Sequence, residues 1–561
     1  MSMNTHRSVR AVVFFCRRHL PWIAVAVVAG VFRLWKIERF PFFLGDEDIY
    51  LHLSQGFLTG RHTMFAIPYA YMPHPPFFFF LGGIFTALFG TTYITLRTLC
   101  ALCAVASCLG LITLGKKIQG SALGLTAGLL LAVMPQAVYF SRIAFGYIIL
   151  SALVVLLAVL MEQYEREIQN RVVLGMSAAI VAGLSSVTEL SGGAILLCFL
   201  LFIARYHRRE LFRLSIPAIG IPLLNYGYFF FRTPNWFIAD LQVNSGRGGS
   251  SLYALLIIVL LFAGILWAVP VIRRVLITLV KQSRVIIPVV LPVVALLFYS
   301  PLITYDQINT SSTLYWLGSA GLLLYLPGSA KRSFVVWETF SFLLFQLFID
   351  RSDRTLSPLY PFLAFGLALI VIRSYQVWKN ISAHLPGWKS LWRVVTVVWV
   401  FGIIGYQAVQ SGFILRLAVS DEASRWEAEM VQVTSYLATH SLVTDLVVGA
   451  PDMTHLANER KATWSQFVSY GETPKYRYSI GEAYPLGRYL YPVSSRDARF
   501  IVIVEELLKG LKGEEDMLVY FRHGTVAKMY EIELQRKKVA DVLTWPSVTI
   551  GDFIIFENPD L

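Results

Sequence analysis

Three adjacent carboxylates follow the first apolar segment of the chain. The stretch "FPFFLGDEDIYLHLSQ", residues 40–55, places Asp46, Glu47 and Asp48 side by side. Acids at the start of a helix can satisfy free backbone N–H groups and face the positive end of the helix dipole, and Asp46 fits such an N-cap. Three acids exceed what capping needs, and unpaired carboxylates are costly beside an apolar segment. The cluster is therefore either a helix cap or part of a functional site.

Cationic side chains that could act with these acids lie far from one another in the chain. His74 precedes two prolines in "YMPHPPFFFF", and Arg142 follows an apolar run in "YFSRIAFGY". Arg351 and Arg354 occur in "DRSDRTLSPLYPFLAFG". Taken singly, each arginine is more typical of a helix end than of a functional group. Together with the acids they make a stronger case for a site, provided that the fold brings them to one place.

The composition is that of a polytopic α-helical membrane protein. Of 561 residues, 56% are hydrophobic and only 15% are charged, and nearly uncharged runs such as "SALGLTAGLLLAVMPQAVYF" recur. Segments that are apolar on every side need lipid or a helical bundle within lipid. The formal charge of +13 would suggest nucleic acid in a soluble protein, but the basic residues cluster between the apolar runs. That distribution is typical of cytoplasmic loops and excludes a nucleic-acid partner.

The basic clusters predict a multi-pass topology with a cytoplasmic N-terminus. Residues 36–95 form the first outer loop, in which residues 76–90 are an interfacial or re-entrant helix, because counting them as a span would place Lys116 and Lys117 outside. The chain then divides into a membrane domain, 1–418, and an extracytoplasmic domain, 419–561. About thirteen spans are expected, namely "PWIAVAVVAGVFRLW" and residues 96–114, 121–140, 147–162, 172–187, 190–205, 214–231, 251–270, 286–304, 313–327, 334–349, 356–373 and 394–416.

The C-terminal region has the pattern of a small α/β domain. "DEASRWEAEMVQVTSYLATH" predicts an amphipathic helix, and "TDLVVGA" and "ARFIVIVE" predict strands. "ELLKGLKG" predicts a second helix, and "VTIGDFIIFE" predicts one closing strand. The topology places this domain on the outer side, together with the Asp46 loop and the residues around Arg142 and Arg354.

The order of the motifs resembles a known family. A "DE" pair with Tyr50 is followed by "HPPF", by "LFG" and Arg97, by "SR" after the third predicted span, and by a late R-x-x-x-P-x-x-P. This order is similar to the GT-C membrane glycosyltransferases of glycosyltransferase family 39, which include protein O-mannosyltransferases and the aminoarabinose transferases of lipid A. The resemblance covers residues 1 to about 416 and is strongest over 40–145 and 350–370.

The resemblance implies an enzyme that transfers a sugar from a polyprenyl-phosphate donor to an acceptor hydroxyl, with inversion, at the outer face of the inner or plasma membrane. The acceptor is a lipid, a glycan or a protein. Asp46 is then the base, and Glu47 beside it serves orientation or a metal ion. The groups expected to bind the donor phosphate are His74, Arg142, Arg351 and Arg354. No cofactor is obligatory, although Asp46, Glu47 and His74 could hold a divalent ion.

Two departures from the family pattern qualify this expectation. Members commonly have an acid five residues after the arginine of "SR", where this chain has Tyr147. They often have a lysine where this chain has Glu189 in "SVTELSGG". Asp48 or Glu189 could replace the missing acid, with Tyr50 as a further supporting residue. The alternative for Glu189 is an ordinary turn residue.

Two other functions stay open. A transporter or lipid-linked sugar flippase would need polar residues through the middle of the membrane and broken spans in paired halves, whereas the polar residues here cluster at one face. A noncatalytic member that binds only a polyprenyl lipid is compatible with Tyr147. The transferase is favoured because motifs and topology support it independently.

Overall fold

The computed structural model describes residues 19–40, 45–58, 75–232, 317–322, 333–348, 354–384, 389–449, 458–462, 464–472, 491–512 and 526–561, with scattered positions at 234, 456 and within 260–271 and 303–308. The side chains of Asp46, Asp48 and Arg354, and all of His74 and Arg351, lie outside the described residues.

The described helices in chain order are α1 His19–Leu34, α2 Gly45–Leu58, α3 Pro76–Phe89, α4 Tyr93–Ile118, α5 Ser121–Val133, α6 Pro135–Phe140, α7 Gly146–Arg166, α8 Arg171–Ser186, α9 Gly192–Tyr206, α10 Leu211–Arg232, α11 Phe334–Phe348, α12 Tyr360–His384, α13 Lys389–Leu417, α14 Asp421–His440, α15 Trp464–Ser469, α16 Glu505–Lys512 and α17 Val526–Val542. The described strands are β1 Ile303–Thr304, β2 Gln307–Ile308, β3 Leu446–Val448, β4 Arg460–Ala462, β5 Ala498–Val504, β6 Ser547–Ile550 and β7 Phe553–Glu557.

The chain divides into two compact units. The first unit contains Met1–Ile37, Arg97–Asn225 and Ala254–Leu417, and the second contains Glu38–Leu96, Tyr226–Tyr253 and Ala418–Leu561. Within the first unit, α7 packs against α8, α8 against α9, and α12 against α5, while α13 contacts both α5 and α6. The first unit is therefore a helical bundle.

Within the described part of the chain, three helices are long and apolar enough to cross a membrane. They are Tyr93–Ile118, Gly146–Arg166 and Leu356–Gln376. Shorter apolar helices accompany them, among them α1, α5, α8 and α9. The expected total of about thirteen spans stays a prediction.

The third predicted span, residues 121–140, consists of two helices with a break between them. α5 ends at Val133, and Met134 has an extended backbone with φ −70° and ψ 118° before Pro135 opens α6. Proline has no N–H to continue the helix and disfavours helical geometry in the residue before it. The break leaves carbonyl oxygens at the end of α5 without helical partners inside an apolar bundle.

Two glycines one helical turn apart allow α5 to lie against α4. A Cβ added at Gly128 would come within 2.8 Å of Ile112 Cγ1 and 2.9 Å of the Cys108 carbonyl oxygen. A Cβ added at Gly124 would overlap the Ile112 carbonyl oxygen. Small residues at this spacing let membrane helices approach closely, which fixes α5 and its terminal break against α4.

In the second unit, α2 packs on α3 through aromatic side chains. The ring of Tyr50 lies 5.5 Å from that of Phe78 and 5.7 Å from that of Phe79. Phe57 and Phe80 form a further edge contact at 5.7 Å. With 14 residues, α3 is about 21 Å long at 1.5 Å per residue, which is short of a bilayer core of about 30 Å. Its length fits the expected interfacial or re-entrant helix.

The C-terminal segment forms a five-stranded sheet in the order β4-β3-β5-β7-β6. β3 is parallel to β4 and β5, whereas β7 is antiparallel to β5 and β6. Both faces are covered: Met430 and Val433 of α14 pack on one face, and Leu508 of α16 and Val539 of α17 pack on the other.

The single closing strand expected over "VTIGDFIIFE" is wrong, because this segment is a hairpin. β6 and β7 pair in antiparallel fashion, with Ile550 opposite Phe553. Gly551 has a φ of +56° in the two-residue connection. Glycine tolerates this conformation and is typical of such tight turns.

Candidate functional site

The three candidate acids lie in the first turn of α2. This helix begins at Gly45, so Asp46 is in the first turn and not at the expected N-cap. Glu47 is fully buried. A helix N-terminus carries partial positive charge and stabilises carboxylates in its first turn. The backbone therefore places Asp46, Glu47 and Asp48 at the positive end of the dipole of α2.

Arg142 caps the C-terminal end of α1. Its Nη1 donates hydrogen bonds to the carbonyl oxygens of Phe32 at 3.2 Å, Arg33 at 3.3 Å and Trp35 at 3.0 Å, and its Nη2 donates to that of Lys36 at 2.9 Å. The side chain is 0% exposed. The last carbonyls of a helix have no helical partners and carry partial negative charge, so a buried guanidinium suits this position. Its predicted phosphate-binding role stays a prediction.

A short turn holds Arg142 in this position. α6 ends at Phe140, and the Ser141 hydroxyl donates to the Val138 carbonyl oxygen at 2.9 Å. The Arg142 amide donates to the Tyr139 carbonyl oxygen at 3.1 Å. The "SR" pair therefore consists of a serine that closes the turn and an arginine that projects from it.

Arg33, which lies on α1, binds backbone carbonyls at the end of α5. Its Nη1 donates to the carbonyl oxygens of Ala132 at 2.8 Å and Ala29 at 3.3 Å, and its Nη2 donates to that of Leu131 at 2.9 Å. Leu131 and Ala132 are at the end of α5, where Pro135 stops the helix. Arg33 thus satisfies carbonyls that the break between α5 and α6 releases.

Arg97 is the third buried arginine in this region. Its Nη1 donates to the Ile37 carbonyl oxygen at 2.9 Å, and Arg33, Arg97 and Arg142 are each 0% exposed. Three guanidinium groups are therefore held by backbone carbonyls around the last turns of α1 and the end of α5. The site prediction omitted Arg33 and Arg97. Their presence inside apolar runs, "VFRLW" and "YITLRTLC", is the signal that could have found them.

Glu189 lies against the start of α7. It follows α8 in a turn closed by the Gly192 amide, which donates to the Glu189 carbonyl oxygen at 2.9 Å. A Cβ added at Gly146 would overlap Glu189 Oε1 and come within 3.1 Å of its Cδ. Gly146 directly precedes Tyr147, the position where an acid is expected from the family pattern. The fold thus brings the Glu189 carboxylate next to that position.

The remaining predicted residues are placed only in part. Arg354 begins the 3-10 turn Arg354–Leu359, which leads into α12. Tyr50 contacts Phe78 and Phe79 in the second unit. In the part of the chain that the structure describes, no group of three His, Cys, Asp or Glu side chains could hold a metal ion. Since His74 and the Asp46 side chain are outside that part, their metal role stays a prediction.

The helical bundle with its C-terminal sheet has the fold of the GT-C membrane glycosyltransferases. ArnT from Cupriavidus metallidurans superposes in its apo state with a TM-score of 0.56 and 12% identity, over 96% of this chain and 97% of that one. The same ArnT bound to undecaprenyl phosphate gives 0.55 and 12%, over 97% and 98%. The oligosaccharyltransferase AglB from Archaeoglobus fulgidus, in complex with an inhibitory peptide and a dolichol-phosphate, gives 0.51 and 13%, over 97% and 74%.

A family model agrees with the fold. Residues 73–224 match the model described as dolichyl-phosphate-mannose-protein mannosyltransferase. No curated protein matches the chain significantly in sequence. The fold and the family-model match confirm the resemblance to GT-C membrane glycosyltransferases that the motifs indicated, and the chain has a membrane-helical fold of this kind.

Proposed function

We propose that this protein is an integral membrane glycosyltransferase that moves a sugar from a polyprenyl-phosphate donor to an acceptor hydroxyl. Arg97 and Arg142 carry the proposal, since they are fully buried within the stretch that the family model matches. A membrane protein keeps buried cations at a cost, so such residues mark function. ArnT with undecaprenyl phosphate and AglB with dolichol-phosphate give precedents for the lipid donor in this fold.

Asp46 is the base in this proposal. The acceptor hydroxyl loses its proton as its oxygen attacks the anomeric carbon, and a carboxylate in hydrogen-bond reach accelerates that step. Direct attack opposite the departing phosphate inverts the anomeric configuration. Because a phosphate leaves without being protonated, one base suffices and no general acid is required. Glu47 orients Asp46 or supports a metal ion.

Positively charged side chains stabilise the departing phosphate in this proposal. Negative charge grows on the phosphate oxygen as the glycosidic bond breaks, and preorganised cations stabilise it. Arg142, Arg351, Arg354 and His74 take this role. No metal ion is obligatory, so chelation by EDTA is expected to leave transfer intact. Loss of transfer on chelation would instead support an ion held by Asp46, Glu47 and His74.

Reaction at the outer face of the inner or plasma membrane follows from the predicted topology, with the C-terminal domain on the same side. A cysteine introduced at Ser494, which lies in the C-terminal segment, is expected to react with an impermeant maleimide from outside. Labelling only after permeabilisation would overturn this topology.

The direct test uses purified protein in proteoliposomes with a radiolabelled polyprenyl-phosphate mannose as donor and a membrane extract as acceptor. Asp46→Asn is expected to lower transfer by about 10²-fold or more. Asp421→Asn is the matched control, because Asp421 also lies in the first turn of a helix, α14. Near-normal transfer by folded Asp46→Asn would reject the base. Movement of labelled lipid without any glycosylated product would favour the flippase.

A further inference from the structure

Arg33 and Arg142 form a reciprocal clasp inside the first unit. Arg33 belongs to α1 and binds the end of α5, whereas Arg142 follows α6 and binds the end of α1. Arg33 thus satisfies carbonyls of α5, which precedes Arg142 in the chain. Arg142 in turn satisfies carbonyls at the end of α1, the helix that carries Arg33. Seven hydrogen bonds from the two side chains go to backbone oxygens at 2.8 to 3.3 Å.

The clasp constrains position in a way that an ordinary helix cap does not. A single cap stabilises one helix end, but these two guanidinium groups join the end of α1 both to the end of α5 and to the turn after α6. A planar guanidinium presents its donors in a fixed fork, so it also sets the orientation of the carbonyls that it joins. The end of α1 cannot shift along α5 without breaking bonds on both sides.

The surroundings of Arg33 leave room for a water molecule beside its side chain. A cavity with about 20 Å³ of room for water-molecule centres, lined by Arg33, Ser107, Ser141 and Ser151 among others, lies within the first unit. Arg33 Nε has no hydrogen-bond partner among the described residues. No acid lines this cavity, all of whose lining residues belong to the described part of the chain. A volume of this size admits about one water molecule, which can solvate the remaining donor.

We propose that Arg33 is a positioning residue for the transfer reaction, acting through the clasp with Arg142. The inference rests on the proposed function. The clasp fixes the carbonyls of residues 32, 33, 35 and 36, which are the carbonyls that the Arg142 guanidinium binds. Holding the last turn of α1 therefore holds the Arg142 guanidinium, which the proposed function assigns to the leaving phosphate. A displacement of about 1 Å at a reacting group can lower a rate by about 10²-fold.

The test compares Arg33→Lys with Ser411→Ala in the full-length protein. Lysine keeps the charge, but its single nitrogen lacks the fixed fork in which Nη1 and Nη2 of Arg33 reach Ala132 and Leu131. Ser411 is the matched control, because its hydroxyl donates to another freed carbonyl at the end of α5, that of Val133, at 2.8 Å, and it takes no part in the clasp. Arg33→Lys is expected to lower kcat at least tenfold with the donor KM unchanged within about twofold, whereas Ser411→Ala retains the wild-type kcat.

Hydrogen–deuterium exchange provides a readout that does not depend on activity. In Arg33→Lys, amides over residues 33–38 and 131–138 are expected to exchange at least tenfold faster than in the wild type, and those in Ser411→Ala over 33–38 are not. Unchanged exchange over 33–38 would overturn the clasp, even if the wild type shows no transfer. Faster exchange with a wild-type kcat per folded molecule would overturn the positioning role and leave the clasp structural.

Discussion

Replacing Arg142 by methionine should destabilise the protein far more than the same replacement at an exposed arginine. Arg142→Met removes four hydrogen bonds to carbonyl oxygens of residues 32–36 and leaves those oxygens buried. Interhelical hydrogen bonds in membrane proteins contribute about 0.6 to 1 kcal/mol each. Four such bonds give an expected loss of about 2 to 4 kcal/mol in the free energy of unfolding.

Arg166→Met is the matched control. Arg166 is in the last turn of α7, its side chain is 45% exposed, and its Nε donates to Glu162 Oε1 at 2.8 Å. Exposed pairs of this spacing contribute about 0.5 kcal/mol or less. Both variants are compared by denaturant titration of tryptophan fluorescence in the same detergent. A difference below about 1 kcal/mol between the two variants would refute the assignment of Arg142 as the cap of α1.

Three further substitutions probe other parts of the chain. Gly146→Ala should displace the Glu189 carboxylate and lower transfer in the proteoliposome assay at least tenfold, and wild-type transfer would show that this contact is dispensable. Glu338→Leu should raise or leave unchanged the unfolding midpoint, because neither carboxylate oxygen of this fully buried residue has a hydrogen-bond partner in the described structure; a clear fall would reveal a stabilising partner. Gly551→Val should lower the free energy of unfolding by about 1–3 kcal/mol, since φ is +56° there and a Cβ would overlap the Glu429 carboxylate; an unchanged free energy of unfolding would refute the strain.

The sequence predicts helices well where apolar runs and basic loops delimit them. The predicted span 147–162 corresponds to α7 at Gly146–Arg166, and 172–187 corresponds to α8 at Arg171–Ser186. The sequence gives no sign of the break within 121–140, because hydropathy does not register that Pro135 interrupts the helical hydrogen bonds. A proline flanked by apolar residues leaves the hydrophobic average unchanged while it ends α5.

Motifs identify residue types but do not reveal their partners. Arg142 is predicted as a phosphate ligand from its motif, yet its guanidinium already makes four bonds to backbone carbonyls. No sequence pattern encodes which carbonyls a distant side chain will meet, because that depends on how α1 packs beside α5 and α6. The position of Glu189 next to Gly146 likewise depends on the turn after α8 and on packing between α7 and α8.

Binding to carbonyls does not remove the charge of these arginines. A carbonyl dipole solvates a guanidinium as water does, so Arg33, Arg97 and Arg142 together retain three positive charges around the end of α1. At an effective dielectric constant of about 20, one such charge stabilises a negative charge 10 Å away by about 1.7 kcal/mol. The same residues can therefore act twice in the proposed reaction, as caps that hold the backbone and as a fixed field that favours a phosphate leaving group. This reasoning separates two variants at Arg97: lysine preserves most of the field while weakening the cap, whereas methionine removes both. Transfer that falls with methionine and is largely retained with lysine would therefore identify the field as the larger contribution.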